Sequence, residues 1–397
     1  MIHLSDRINN LAESETIAMA QRSRELKAKG FDIINLGIGE PDFFTPDRIK
    51  GAAKQAIDDN YSLYTAVNGY QDLREAICHK LLRDNKLQYE PNQIVVCTGG
   101  KHAITNTLLC LVNPGDEVII PTPYWVSYAQ MVDLAEGKKV YIEAEIENDF
   151  KISPQQLEKA ITPKTKAFVF SSPCNPSGSV YSKNELQALA EVFEKHPNIY
   201  IVSDEIYEYI NFGKNHESIG QFEKIKDRVI VINGVSKGFA MTGWRIGYLA
   251  AHPAIAKAVT KLQGQFTSGS CSIAQRAALE AMKMEPKDTH HMLDKFLERR
   301  DLAIKMIRDI PGVKTNVPQG AFYIFPDISG YIGKSTGEQV IKNASDLCIY
   351  LLNKAHISVV AGDAFGSPKC IRISYATSTE LLSEALRRLK TALLNLK

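Results

Sequence analysis

A lysine set among small residues, Ser236-Lys237-Gly238, is the residue here best placed for chemistry. It follows a short β-branched run, Val229-Ile-Val-Ile232, that breaks at Asn233-Gly234. Such a run has the pattern of a buried strand. On a tight turn at its end, a lysine can enter a dry cleft, lose its proton and act as a nucleophile. The plain alternative is a solvated loop lysine. Arg245 follows in Gly-Trp-Arg-Ile-Gly.

Other residues could serve the same site. Gly99-Gly100, between a strand and a helix, offers free backbone N–H groups to an anion such as phosphate, although glycines also simply make turns. Ser236 and Arg245 could add a hydroxyl and a charged fork to that anion, or Arg245 could sit in a structural ion pair. Asp204 ends an apolar run, where a carboxylate is costly unless paired. It would either partner a cationic ring nitrogen or cap the following turn. Tyr207, three residues on, could bond an oxygen of the same ring or merely pack. Asn175 is a ligand or a turn residue before proline. Trp125 stacks on a planar group or belongs to the core. Arg372, between Ile371 and Ile373, points into a cleft to hold a carboxylate bidentately or faces solvent at an edge. Together these groups describe pyridoxal 5'-phosphate bound to a lysine.

The elements that must position them read as α/β. Apolar strands at 93–98, 117–121, 166–171, 199–204 and 229–232 alternate with helical patterns, as in a mainly parallel sheet covered on both faces. Sites in such sheets lie beyond the carboxyl ends of the strands, which selects Gly99–Lys101, Asn175, Asp204 and Lys237. Helices are expected at 16–29 (ended by Gly30), 46–59, 73–84 and 101–112, and after a capping box at Ser182-x-x-Glu185. Beyond about residue 285 the texture becomes α+β. Helices at 292–309 and 346–355 and strands at 321–325, 357–360 and 370–375 precede a closing helix capped by Thr377-x-x-Glu380. The expected division is a large cofactor domain, 46–285, and a smaller domain from 1–45 and 286–397.

Bulk properties narrow the classes. A length of 397 residues suits two domains, and a net charge of +2 gives no footprint for nucleic acid. No apolar run suits a membrane span or a signal peptide. Seven cysteines without a Cys-x-x-Cys pair suit reduced thiols in the cytoplasm, not a metal site. His290-His291 reads as helix surface.

Taken with their order and spacing, three motifs resemble the class I aminotransferases of pyridoxal-phosphate fold type I, nearest the bacterial aspartate aminotransferases. They are Asn175-Pro-Ser-Gly178, Ser203-Asp-Glu-Ile-Tyr207 and Ser236-Lys-x-Phe-x-Met-Thr-Gly-Trp-Arg-Ile-Gly247. The similarity runs nearly end to end. It implies an enzyme that exchanges an amino group between an amino acid, foremost aspartate, and 2-oxoglutarate by a ping-pong mechanism. Lys237 would hold the cofactor covalently and then shuttle the proton. Asp204 would pair with the ring nitrogen, Tyr207 and Asn175 with the ring oxygen, and Trp125 would stack on the ring. Gly99, Gly100, Lys101, Ser236 and Arg245 would hold the phosphate, joined by Tyr64 from the other subunit of a homodimer. Arg372 would bind the substrate α-carboxylate, near Asn175 and the Gly39 backbone. Lys101 would take the distal carboxylate.

The sequence departs from the family in places. Gly234 stands where a hydroxyl is often found, so one phosphate contact is missing. Leu11-Ala-Glu-Ser-Glu-Thr16 lacks the basic residue and proline of close relatives; Ala12 therefore argues against strong prephenate activity, while Thr16 is retained. Rival readings are an aminotransferase of aromatic or broad range, a C–S lyase of the same fold, and a non-catalytic pyridoxal-phosphate sensor. Lys101 speaks against the lyase, and the lack of chain for a DNA-binding domain against the sensor.

Overall fold

Unbroken apolar runs build a sheet that is buried on both sides. The computed structural model describes residues 3–9, 11–12, 15–213, 215–337 and 340–397. Its first strand, β1 (Ile34–Asn35), lies apart from the next seven: β2 (Ile94–Cys97), β3 (Glu117–Thr122), β4 (Lys138–Glu143), β5 (Thr165–Ser171), β6 (Tyr200–Asp204), β7 (Val229–Gly234) and β8 (Gly247–Ala250). These seven form one sheet in the order β2-β8-β7-β6-β5-β3-β4. Every pairing is parallel except the two made by β8, which runs antiparallel to β2 and to β7.

Side chains one apart on a strand leave by opposite faces. Val96, Phe168, Phe170, Ile201 and Val231 enter one core, with the helices Gln71–Asn85 and Lys183–Lys195. Val95, Val169, Val202, Ile230 and Ile232 enter the other, with Gly100–Leu111 and Pro253–Phe266. Two-faced burial explains why these strands read as unbroken apolar runs. The β4 strand, with a mostly solvated edge, lacks that signal, and β8 is only four residues long and opens on Gly247; neither is among the strands expected from the sequence.

The remaining strands are β9 (Tyr323–Ile324), β10 (Ile357–Ser358), β11 (Val360–Ala361) and β12 (Ile371–Ser374). β12 lies between β11 and β9, antiparallel to both. The expected strand at 357–360 is thus two short ones in different sheets. β10 pairs in parallel with β1, and Arg388 of the last helix reaches Asp32. The N-terminal segment is therefore bound to C-terminal elements. The last helix, Thr379–Leu394, is capped by Ser378, whose hydroxyl accepts the Leu381 N–H, not by Thr377 as expected. The capping box at Ser182 and Glu185 is present, and both His290 and His291 are exposed. Within the 11–16 stretch, Glu13 and Ser14 lie outside the described residues.

Candidate active site

The carboxyl ends of β2, β3, β5, β6 and β7 open on one cavity of about 300 Å³. Gly39, Gly100, Lys101, Trp125, Asn175, Asp204, Tyr207, Ser236, Lys237, Arg245 and Arg372 all line it. Two nominated residues do not. Gly99 lies against Arg245 behind the lining, and Tyr64 is 96% exposed.

At one end the backbone is stripped of side chains. Gly99 has φ +85°, and a Cβ there would lie 2.1 Å from Arg245 Nη2. A Cβ on Gly247 would lie 2.4 Å from the Gly100 nitrogen, so β8 presses directly on the loop. The helix Gly100–Leu111 starts here with no acidic residue in its first turn. Arg245 Nη1 donates to the Thr242 carbonyl at 2.8 Å, and no described carboxylate lies within ion-pair distance of its guanidinium. Ser236 is buried beside it. A bare helix N-terminus, a hydroxyl and an unpaired guanidinium form an anion cradle. Gly234 cannot contribute a hydroxyl: a Cβ there would lie 2.7 Å from Gly247 Cα.

At the centre, Asp204 caps the turn that follows it and also accepts a tyrosine hydroxyl. One carboxylate oxygen caps the turn by accepting the Ile206 N–H at 3.3 Å. The other accepts the Tyr128 hydroxyl at 2.6 Å. Burial pushes this carboxyl up to about 6, with those two hydrogen bonds opposing. No described cation lies within ion-pair distance of it. A buried anion in this state is stabilised by a cationic ligand.

Lys237 Nζ donates to the Gly39 carbonyl. Burial pulls its ammonium down to about 8; Glu40 opposes, while Arg372 and Arg245 add to the fall. An amine in that range spends an appreciable fraction of its time neutral near physiological pH. Tyr207 is buried and its hydroxyl lies 2.8 Å from that of Tyr323.

Arg372 points inward, which excludes the solvent-facing alternative. It is 2% exposed. Nη1 donates to Asn175 Oδ1 at 3.0 Å, and Nη2 to the Gly37 carbonyl at 2.7 Å. Its plane lies over the rings of Tyr323 at 4.6 Å and Phe365 at 5.0 Å. Nε has no partner among the described residues. Lys101 Nζ lies 5.1 Å from the centre of the Trp125 ring, and desolvation, then Arg245, hold it below the ordinary lysine value. Trp125 in turn meets Tyr128 edge to face.

Sequence reasoning missed Tyr128 and Tyr323, both of which line the cavity. Tyr128 stands three residues after Trp125, on the same side of a helical turn, and that spacing was the available signal. Tyr323 looked like one more apolar position in a strand.

The donor set fits pyridoxal phosphate: an anion cradle, a buried carboxylate without a cation, and a partly neutral lysine between them. The class I and II aminotransferase model matches residues 32–389. The chain belongs to that family. An aspartate/prephenate aminotransferase of Cereibacter sphaeroides is 48% identical over 98% of both chains. An aspartate aminotransferase of Bacillus subtilis is 45% identical, again over 98% of each. The crystal structure of the aspartate aminotransferase of Rhizobium meliloti superposes with a TM-score of 0.97 at 40% identity, over the full length of both chains. This aminotransferase therefore has fold type I and depends on pyridoxal 5'-phosphate.

Proposed function

We propose that this aminotransferase takes its amino group from aspartate and passes it to 2-oxoglutarate, and that the cavity residues divide the work as follows. Pyridoxal phosphate, when bound, supplies an electron sink for the substrate Cα. Arg372 binds the α-carboxylate, its fork held by Asn175 and the Gly37 carbonyl. Lys237 anchors the cofactor and, once freed, takes the Cα proton at Nζ. Asp204, oriented by Tyr128, keeps the ring nitrogen protonated. Tyr207 and Asn175 donate to the ring oxygen, and Trp125 covers the ring and excludes water. The Gly99–Gly100 turn, the Lys101 backbone, Ser236 and Arg245 hold the phosphate.

One observation carries the substrate assignment. Two cationic side chains, Arg372 and Lys101, line one cavity, and no described carboxylate pairs with either. A dicarboxylate satisfies both. Replacing Lys101 by Ala should lower kcat/KM for aspartate about 10- to 100-fold and leave alanine within about twofold, the worth of one charge-assisted contact. Equal losses for both amino acids in stopped-flow half-reactions would remove the distal-carboxylate role. Cystathionine turnover faster than aspartate turnover would favour the lyase. Residue 12 offers no charge to a second ligand: Ala12 stands exposed, its N–H donating to Gln130 Oε1 at 2.9 Å. We therefore place prephenate below aspartate, to be checked by direct assay.

We also take the enzyme to be a homodimer with shared active sites. Phe44, Leu63 and Tyr64 are 91%, 81% and 96% exposed, a cost that a partner subunit would remove. Tyr64→Phe should weaken cofactor binding several-fold despite lying outside its own chain's cavity, and sedimentation should give the mass of two chains. Residues 46–285 would carry the cofactor, with 1–45 and 286–397 forming the smaller domain. Among the described residues no helix is long and apolar enough to cross a membrane, and Cys78, Cys97, Cys110, Cys174, Cys271 and Cys370 are free thiols; we place the enzyme in the cytoplasm.

A further inference from the structure

Tyr323 touches more of the proposed machinery than any role yet assigned to it requires. In register β9 sets Tyr323 opposite Ser374 of β12. Arg372 lies two residues before Ser374, so the tyrosine and the arginine are diagonal neighbours on one face. The Tyr323 ring lies 4.6 Å from the Arg372 guanidinium, and its hydroxyl lies 2.8 Å from the Tyr207 hydroxyl. The side chain is fully buried. It also reaches Gly39: a Cβ at that position would lie 2.9 Å from the Tyr323 hydroxyl. A Cβ at Gly39 would thus crowd the Tyr323 hydroxyl, beside the carbonyl that receives Lys237.

We propose that Tyr323 is a positioning residue, its hydroxyl donating to Tyr207 and its ring holding the guanidinium of Arg372, so that one side chain sets both the ring-oxygen contact and the carboxylate contact. This rests on the roles proposed above for Tyr207 and Arg372. A phenol that receives a hydrogen bond donates its own proton more strongly, because chained bonds polarise one another. A cation against the ring face draws density from the phenol and favours Tyr323 as the donor of the pair. Tyr207 is then free to donate forward into the cavity. An ordinary packed tyrosine pair would do none of this.

The test uses the resting holoenzyme, without turnover. The absorbance of the lysine-bound cofactor is followed against pH in the wild type, Tyr323→Phe, Tyr207→Phe and the double variant. Weaker donation to the ring oxygen leaves more negative charge there, so the nitrogen linking Lys237 to the cofactor keeps its proton to higher pH. Tyr323→Phe should raise the midpoint by roughly half a pH unit, the equivalent of part of one neutral hydrogen bond. Tyr207→Phe should raise it at least as far, and the double variant no further than Tyr207→Phe. Succinate affinity separates the ring from the hydroxyl: unchanged within about twofold in Tyr323→Phe, weakened about tenfold in Tyr323→Leu. Thermal melting checks that each variant is folded. An unmoved midpoint in Tyr323→Phe, with Tyr207→Phe shifted, overturns the proposal. Both unmoved overturns the Tyr207 role and the proposal with it.

Discussion

Asp204 and Arg372 are buried opposite charges that line the same cavity and form no ion pair with each other. Each is instead held by neutral groups: Asp204 by Tyr128 and the Ile206 N–H, Arg372 by Asn175 and the Gly37 carbonyl. Separation leaves both charges unneutralised and available to a ligand that carries the opposite charge at each end. It also costs the folded chain stability, because isolated buried charges are destabilising.

That cost can be measured at Asp204. Its carboxyl is raised in the folded chain to about 6 from the ordinary 3.8. A raised carboxyl means the folded state binds protons more readily than the unfolded state. Stability therefore falls as pH rises from about 4 to about 6, and the full penalty stands above that range. Asp204→Asn should stabilise the cofactor-free protein at pH 8 by about 3 kcal/mol, with the gain vanishing near pH 4. The same variant should lose most of its transaminase activity. Urea melts of the cofactor-free variant and wild type at the two pH values decide this; equal stability at pH 8 would show that Asp204 is not strained by burial.

For Lys237 the direction is opposite. Burial lowers its ammonium to about 8, so the neutral amine predominates only above that value. Capture of added pyridoxal phosphate by the cofactor-free protein should accelerate about tenfold per pH unit up to about 8 and then level off. Borohydride trapping of the cofactor on the chain follows that rate. Lys237→Ala should trap none and lose at least about 10³-fold in transamination. Trapping on Lys101 instead would displace Lys237 from its role.

Arg372 makes a different demand, for shape as well as charge. A lysine there keeps the cation but not the fork that meets Asn175 Oδ1 and the Gly37 carbonyl together. Arg372→Lys should lower kcat/KM about 100-fold for aspartate and alanine alike, since both carry an α-carboxylate. A loss confined to aspartate would assign Arg372 to the distal carboxylate.

Much of this site was legible because it sits where chain pattern is strongest. β5, β6 and β7 are buried on both faces, so their ends, and with them Asn175, Asp204 and Lys237, could be located from apolar runs alone. Arg372 stood out for the same reason, as a charge between two isoleucines in β12. Less legible were residues whose meaning depends on a partner remote in sequence. Tyr128 and Tyr323 matter through Asp204, Tyr207 and Arg372, and no local pattern encodes those contacts. Strand β8 was lost for a related reason: its Gly247 weakens the strand signal, yet the glycine is what lets the β8 backbone lie on the Gly99–Gly100 loop.

Gly234 shows how such packing reverses an inference drawn from residue type. Read as a sequence, it is a missing hydroxyl, and Gly234→Ser would seem to restore a phosphate contact. In the fold it lies in β7 opposite Gly247 of β8. A Cβ would stand 2.7 Å from Gly247 Cα and 2.9 Å from the Ile246 carbonyl oxygen. Both obstacles are backbone, which cannot turn aside as a flexible side chain can. Gly247 cannot retreat, because it already presses on Gly100. Gly234→Ser should therefore destabilise the protein by about 2 kcal/mol, in the range of overpacked interiors, and weaken cofactor binding by displacing the anion loop. Thermal melting with a cofactor titration measures both. A variant that melted like the wild type and bound the cofactor more tightly would show that β7 and β8 can part enough to admit the hydroxyl.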